Sequence, residues 1–147
     1  MIIIEPRVKQ LLIDDALNTF PDECCGFLFG REEHDGTRIV IDILVVDNSK
    51  PGDKTRRFEI SPLDYMAAEQ HALDHEWAIL GIYHSHPKHP AIPSEHDRVA
   101  AQPWFSYLII SIPDLTDLEA IYFRSWLLND DRQFEEEKIS EYQLVKK

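Results

Sequence analysis

The chain has 147 residues, and its 15 lysines and arginines against 27 aspartates and glutamates give a formal net charge of −12. A chain of this length forms one domain with its own hydrophobic core and needs no disulfides. The acidic excess argues against nucleic acid as a partner, because phosphate contacts need a clustered basic surface. The sequence shows neither an apolar run of the ~20 residues that span a membrane nor a signal peptide, so we expect a cytoplasmic protein without a membrane partner.

The first third of the chain predicts a helix followed by a β-hairpin. Residues 5–20 carry apolar side chains at helical spacing, and Pro6 suits the first helical turn. The apolar run 24–30 and the β-branched run 38–46 predict two strands, and the Asp-Gly pair at 35–36 between them is a hairpin signal.

The remainder predicts strands that alternate with helices. Short apolar segments predict four strands, at 57–60, 77–84, 105–112 and 119–128. Serine caps predict two helices, at 61–75 and 94–102. Turn formers and prolines predict loops at 47–54 and 85–93.

This order of elements predicts an α/β or α+β domain in which a mixed central β-sheet is flanked by helices. Residues 1–128 contain the pattern, and the charge-rich residues 129–147 form an extension of the same domain. The polar and apolar alternation at 142–145 leaves two interpretations of that extension, an edge strand or a tail. The tryptophans are expected in the core or at its edge, at positions 77, 104 and 126.

Histidine is concentrated in one segment, because six of the seven histidines lie between positions 71 and 96. His84 and His86 are two residues apart at a strand end, so their imidazoles face the same side and can begin a zinc site. Ser94 caps the next helix and places Asp97 at the third helical position, from which a carboxylate can complete a His₂Asp set. Three protein ligands and a water are the open form of zinc found in hydrolytic enzymes.

Each half of this pattern has a simpler explanation. A His-x-His at a strand end is commonly incidental, and Ser94-x-x-Asp97 also describes a local capping box. The joint pattern, with Pro87 directly after the histidine pair, is far less expected by chance.

Four separated elements together resemble the JAMM motif of the MPN-domain metalloproteases. They are Glu23, the His-Ser-His-Pro of 84–87, Ser94 and Asp97, and they match the family in order and spacing. The Cys-Gly-Phe-Leu-Phe-Gly of 25–30 is similar to the family's first strand, and the resemblance spans roughly residues 5–128. It implies the MPN architecture, which is like that of the cytidine deaminases.

The resemblance also implies a role for each residue of the motif. His84, His86 and Asp97 would hold one Zn²⁺ per chain together with a water. Glu23 would be the general base that takes the water's proton and passes it to the leaving amine, and Ser94 would stabilise the oxyanion. From the residues alone, a glutamate between a helix and a buried strand is more often a solvated loop residue or a capping group, and Asp22 is an equally acidic alternative.

The activity that this resemblance implies is that of a zinc-dependent peptidase or isopeptidase. The expected substrate is an amide bond at the C-terminus of a small ubiquitin-like protein of the sulfur-carrier type. The alternative is a non-catalytic MPN scaffold, although such scaffolds typically lose ligands that this chain retains. A His₂Asp set also accommodates manganese or iron.

Other classes fit the sequence less well. A DNA-repair-associated branch of the family is disfavoured by the −12 charge and by Lys-His-Pro at 88–90, where that branch usually has a glycine. A zinc deaminase needs a Pro-Cys-x-x-Cys pair, which this sequence lacks. A metal-binding cupin is a β-barrel, and the number of predicted helices argues against that fold. Cys24 and Cys25 are interpreted as buried, inert thiols. The remaining histidines of the cluster are interpreted as bystanders, namely His71, His75, His89 and His96.

Overall fold

One mixed β-sheet of eight strands organises the computed structural model, which describes residues 1–141. The strands are β1 Ile2–Ile4, β2 Cys25–Glu32, β3 Arg38–Val46, β4 Ala78–Pro87, β5 Ser106–Ile112, β6 Tyr122–Leu128, β7 Phe134–Glu137 and β8 Ile139–Glu141. The α-helices are α1 Pro6–Thr19, α2 Pro62–His75 and α3 Glu95–Ala100. Within these residues no helix is both long and apolar enough to cross a membrane.

The strand order is β7-β6-β5-β4-β2-β3-β1-β8, so β4 lies in the interior of the sheet. It pairs antiparallel with β2 and parallel with β5. The edge strands β7 and β8 are separated in the chain by Lys138 alone. Because successive Cα atoms are only ~3.8 Å apart, the sheet must curl until its two edges meet. The N-terminal amine beside β1 accordingly lies 3.6 Å from the carboxylate of Glu137 on β7.

Hydrophobic clusters cover both faces of the sheet. Val8, Leu12 and Ala16 of α1 pack on one face, and Ala68 and Ala72 of α2 pack on the other. A strand buried on both faces has a continuous apolar run, which is the pattern that β4 and β5 show.

A β-bulge in β4 decides which residues face α2. Leu28 pairs with Gly81 and Phe29 pairs with Ile79, so Leu80 is an extra residue on β4. An extra residue inverts the alternation of side chains beyond it. Ile82 therefore packs with the α2 cluster, and the residues two and four positions later fall on the same face.

Next to the bulge, β4 and β5 approach so closely that only glycine fits. A Cβ on Gly81 would lie 1.9 Å from the carbonyl oxygen of Ser106. Any side chain at this position would push β4 away from β5 and displace the end of the strand.

The sheet with flanking helices confirms the predicted fold class, and the structure corrects several details. Residues 57–60 do not form a strand, because the loop at 48–49 binds their backbone: Asn48 accepts from the N–H of Glu59, and the N–H of Ser49 donates to the Glu59 carbonyl. Strand β1 was not predicted, since its three residues are held only by parallel pairing with β3 and β8.

Residues 85–87 continue β4, where the sequence predicted a loop from 85 to 93. The parallel ladder with β5 extends to the pair Pro87 and Ile112. The chain turns at Lys88, whose φ of 61° is left-handed. Pro87 is therefore the last residue of β4 and not the first residue of a loop. Its missing backbone N–H is tolerated because the strand ends there.

Trp104 is the one tryptophan that contradicts the expectation, because 61% of its surface is exposed. The described part of the extension, residues 129–141, contains the edge strands β7 and β8. The predicted alternation at 142–145 lies outside the described residues.

Candidate metal centre

The two histidines of the motif converge at the C-terminal end of β4. His84 is 1% exposed and His86 is 7% exposed, and their Nε2 atoms lie 3.0 Å apart. The bulge at Leu80 places both rings on the α2 face, as alternation from His84 to His86 requires.

Asp97 reaches the same point from the first turn of α3. Its Oδ2 lies 3.4 Å from Nε2 of His84 and 3.6 Å from Nε2 of His86. The Ser94 N–H donates to that oxygen at 2.8 Å, and the Asp97 N–H donates to Ser94 Oγ at 3.0 Å. The capping box therefore aims the carboxylate at the histidine pair, and the structural and chemical interpretations of these residues are compatible.

The separation of these three donors suits a metal ion. Ligands 2.0–2.1 Å from a tetrahedral zinc stand about 3.3 Å from one another. The observed separations are 3.0, 3.4 and 3.6 Å. His86 Nδ1 donates to the Pro90 carbonyl at 2.7 Å, which leaves Nε2 as the ring nitrogen that can face a metal.

Glu23 is brought to the histidines by the pairing of β2 with β4. Cys25 lies opposite His84 in that ladder. Just before it, the Cys24 N–H donates to Ser85 Oγ at 2.8 Å. Glu23 is 3% exposed, and its carboxylate oxygen and one ring nitrogen of each histidine all lie within 4.8 Å of one another. Glu23, His84 and His86 thus form a cluster that can hold a metal ion.

Burial dominates the electrostatics of this cluster. Burial raises the pKa of Glu23 to about 9, with repulsion from Asp97 and Asp53 adding to the effect. Burial also lowers the pKa of His84 and keeps its ring neutral. Burial alone would raise the pKa of Asp97, but the neighbouring His84 ring and the hydrogen bond that the Ser94 N–H donates to its carboxylate hold that pKa well below the usual range. A divalent cation here would favour the ionised form of both carboxylates.

Residues 47–60 contact Glu23 and His84, and the sequence did not predict these contacts. The Glu23 N–H donates to the Lys54 carbonyl at 2.7 Å, and Asn48 Nδ2 donates to the Glu23 carbonyl at 3.1 Å. Phe58 stacks on His84, with ring centroids 4.5 Å apart. No local pattern signals these contacts, since each joins residues at least 25 positions apart in the chain.

The other candidate histidines are not part of the donor cluster formed by Glu23, His84 and His86. His71 Nε2 lies 3.3 Å from Asp42 Oδ2, and His75 stacks on Trp77. His96 Nδ1 lies 3.5 Å from Arg57 Nη1. His89 lines an open cavity of about 300 Å³ that also contacts Glu23, and we name this space the site cavity. Its other lining residues are Arg56, His86, Pro90, Ile92 and Ser94.

The two cysteines are buried thiols. Burial raises the pKa of Cys25 to about 12 and raises that of Cys24 well above its ordinary value. A thiol that stays protonated is a poor nucleophile, so the cysteines have no part in the chemistry of this site.

The fold and the donor cluster define a JAB-type domain. Residues 5–129 match the family model described as prokaryotic homologs of the JAB domain. Because the match covers most of the chain, the protein belongs to this family.

Two curated proteins are similar to this chain. The desampylase of Pyrococcus furiosus is 29% identical over 138 residues, which cover 93% of this chain and 89% of that protein. The tail tip assembly protein K of Escherichia phage N15 is 30% identical over 136 residues, and the match spans 86% of this chain but only 49% of the phage protein.

Solved structures share the fold. A protein from Desulfitobacterium hafniense is 30% identical with a TM-score of 0.85, covering 99% of this chain and 95% of that one. A protein from Salinibacter ruber is 35% identical with a TM-score of 0.69, covering 95% and 90%. A JAB1/MPN domain protein from Archaeoglobus fulgidus has a TM-score of 0.59 at 17% identity, covering 97% and 100%, and supports the fold alone.

Proposed function

We propose that the protein is a zinc-dependent peptidase or isopeptidase of the JAMM type. Its substrate would be an amide bond at the C-terminus of a small ubiquitin-like protein of the sulfur-carrier kind, in the cytoplasm. One observation carries the proposal: His84, His86 and Asp97 converge, with separations of 3.0 to 3.6 Å, beside the buried carboxylate of Glu23. The 29% identity to a desampylase supports a hydrolase that acts on conjugates of a ubiquitin-like protein.

His84, His86 and Asp97 would hold one zinc ion per chain. The ion would supply a Lewis acid that polarises a water and the amide carbonyl. Both imidazoles are buried, and the Pro90 carbonyl accepts from Nδ1 of His86 and so orients Nε2 of that ring toward the ion. The same donors suit other divalent metals, so metal analysis is part of the test.

Glu23 would move the proton. Its carboxylate oxygen accepts a proton from the attacking water and delivers it to the nitrogen of the departing amine, so the residue is regenerated in each turnover. The backbone contacts to Lys54 and Asn48 hold Glu23 at the rim of the site cavity, where it can reach both atoms.

Ser94 would stabilise the oxyanion. In the capping box its Oγ uses a lone pair to accept from the Asp97 N–H, which leaves the hydroxyl hydrogen free to donate. Ser94 also lines the site cavity together with Glu23 and His86. A donor aimed at the developing negative charge lowers the barrier more than it stabilises the ground state.

Metal content tests the centre. We expect the freshly purified protein to bind one equivalent of zinc and the His84→Ala, His86→Ala double variant to bind none, measured by elemental analysis after dialysis. The matched control is His71→Ala with His75→Ala, which removes two histidines outside the cluster and should leave the zinc content unchanged. Absence of zinc affinity in the unaltered protein would contradict the proposal.

Cleavage tests the reaction and separates an enzyme from a non-catalytic scaffold. The zinc-loaded protein is incubated with β-grasp carrier proteins that have C-terminal extensions, and the products are followed by intact mass. We expect loss of the extension and no loss with the double variant. Stoichiometric zinc without cleavage of any amide would favour the scaffold alternative.

A further inference from the structure

A second cavity lies against the candidate metal centre, and it shares no lining residue with the site cavity. It has a volume of about 240 Å³, and we name it the apolar cavity. Most of the residues that line it are apolar or aromatic, among them Phe58, Tyr65, Ile82, Ala100, Tyr107 and Ile109. Three polar residues, Lys50, Glu59 and His96, line it as well. His84 and Asp97 also line it, so the space begins at two of the three metal donors.

The two cavities are lined by different residues of the candidate site. Glu23, His86 and Ser94 face the site cavity, whereas His84 and Asp97 face the apolar cavity. A substrate whose amide lies at the donor triangle therefore has proton-transfer groups on one side and an aromatic and aliphatic surface on the other.

The size and walls of the apolar cavity suit one large side chain. An apolar cavity of ~150 Å³ is enough to bind benzene, so about 240 Å³ accommodates a leucine or phenylalanine side chain. Its floor is the sheet itself, formed by Ile82 of β4 and by Tyr107 and Ile109 of β5. The Tyr107 hydroxyl accepts from the Gln102 N–H at 2.6 Å, which fixes the position of the ring against α3.

We propose that the apolar cavity receives a large apolar side chain from the substrate residue next to the cleaved amide bond. The inference rests on the proposed function and deepens it, because it states which substrates the same centre selects. Phe58 connects the cavity with the metal donors, since its ring both stacks on His84 and forms a wall of the cavity. A side chain that fills the space is held against the metal donors, which fixes the adjacent amide bond over them.

Selectivity among peptides is the first test. The zinc-loaded protein is given peptides that differ only in having Gly, Asp, Leu or Phe at either position flanking the scissile bond, and kcat/KM is measured by mass spectrometry. We expect Leu or Phe to exceed Gly by about tenfold or more at one of the two positions. Equal rates for Gly, Leu and Phe at both positions would overturn the inference.

Filling the cavity should remove this preference. Ala100→Phe adds a ring from the surface helix α3 into the cavity, and we expect Leu and Phe peptides to fall to the rate of the Gly peptide. Val99→Phe is the matched control, because Val99 lies on the same helix, is 66% exposed and does not line the cavity. Should Ala100→Phe fail to fold, Tyr65→Ala tests the reverse change and is expected to admit larger side chains.

Binding without turnover distinguishes this inference from the proposed function. N-acetyl-leucinamide is added to protein with labelled isoleucine methyl groups, and we expect chemical-shift changes at Ile60, Ile82 and Ile109 but none at Ile2 or Ile110 on the opposite face. N-acetyl-glycinamide should cause no change. Shifts without amide hydrolysis would contradict the proposed function alone, whereas hydrolysis without shifts or preference would contradict the apolar cavity alone.

Discussion

At the scale of single residues, Asp22 and Glu23 show how tertiary contacts separate two adjacent carboxylates. Asp22 is half-buried, and its N–H closes a turn on the Thr19 carbonyl at 3.0 Å. Glu23 is 3% exposed and belongs to the histidine cluster. The two side chains have nearly the same chemistry, so position relative to β4 is what makes one of them a candidate base.

Replacing Glu23 by glutamine tests that assignment. The amide keeps the shape of the side chain but cannot take a proton, so we expect kcat for amide cleavage to fall by about 10²- to 10⁴-fold with unchanged zinc content. The neighbouring Asp22→Asn variant should keep its activity. Undiminished turnover in Glu23→Gln would mean that another group is the base.

At the scale of elements, the short helix α3 combines a structural and a chemical task. It has six residues, and the capping box at its start involves Ser94 and Asp97, both of them residues of the site. The longer helix α2 begins with a serine cap of the same kind, in which Ser61 Oγ accepts from the Asp64 N–H at 3.2 Å. Ser61 lines neither the site cavity nor the apolar cavity, so the two caps form a matched pair.

Alanine at each cap separates capping from catalysis. We expect Ser61→Ala and Ser94→Ala each to lose about 1 kcal/mol of the free energy of unfolding. Only Ser94→Ala should also lower kcat, by about 10²-fold, because it removes the proposed oxyanion donor. Urea unfolding and steady-state kinetics measure both effects, and Ser94→Thr should restore activity. Equal activity in the two alanine variants would mean that Ser94 caps α3 and has no part in catalysis.

At the scale of the whole molecule, a buried polar contact joins helix α1 to the strand that carries the site. The Tyr83 hydroxyl of β4 donates to Asp15 Oδ2 at 2.7 Å, and Thr19 Oγ1 donates to the same carboxylate at 3.3 Å. Burial raises the pKa of Asp15, although hydrogen bonds from Tyr83, Cys24 and Thr19 oppose the rise. This carboxylate therefore links the global stability of the fold to pH.

The sign of that link follows from the raised pKa. The folded protein binds the proton of Asp15 more tightly than the unfolded chain does, so this group's contribution to stability is lost as pH rises above the ordinary value of 3.8 and through the raised pKa. Asparagine keeps an acceptor for Tyr83 and cannot ionise. We expect Asp15→Asn to gain stability relative to the unaltered protein between pH 4 and pH 7, measured by urea unfolding.

The exposed neighbour Asp14 supplies the control for this pH dependence. Asp14→Asn removes a carboxylate from the exposed face of the same helix and should not reproduce the gain in stability expected for Asp15→Asn. Parallel stability curves for Asp15→Asn and the unaltered protein would contradict a coupling through Asp15.

Local patterns predicted most of the elements, and non-local pairing produced the differences. The serine caps and apolar runs located α2, α3 and β2 to β6 within a few residues. Strand β1 and the continuation of β4 through Pro87 escaped prediction because parallel ladders with distant strands hold them. For the same reason, the sequence contained no sign that Phe58 would stack on His84 or that Asn48 would hold Glu23.

The sequence by itself determined the chemical types and the local geometry of the centre. His-x-His at a strand end and Ser-x-x-Asp at a helix start depend on strand alternation and capping, which act over two or three residues. Tertiary structure alone decided how these pieces meet. The bulge at Leu80 sets the face of β4, pairing of β2 with β4 brings Glu23 beside the histidines, and the cavity beyond His84 forms where distant elements pack together. Such contacts depend on the path of the whole chain, which short-range spacing does not encode.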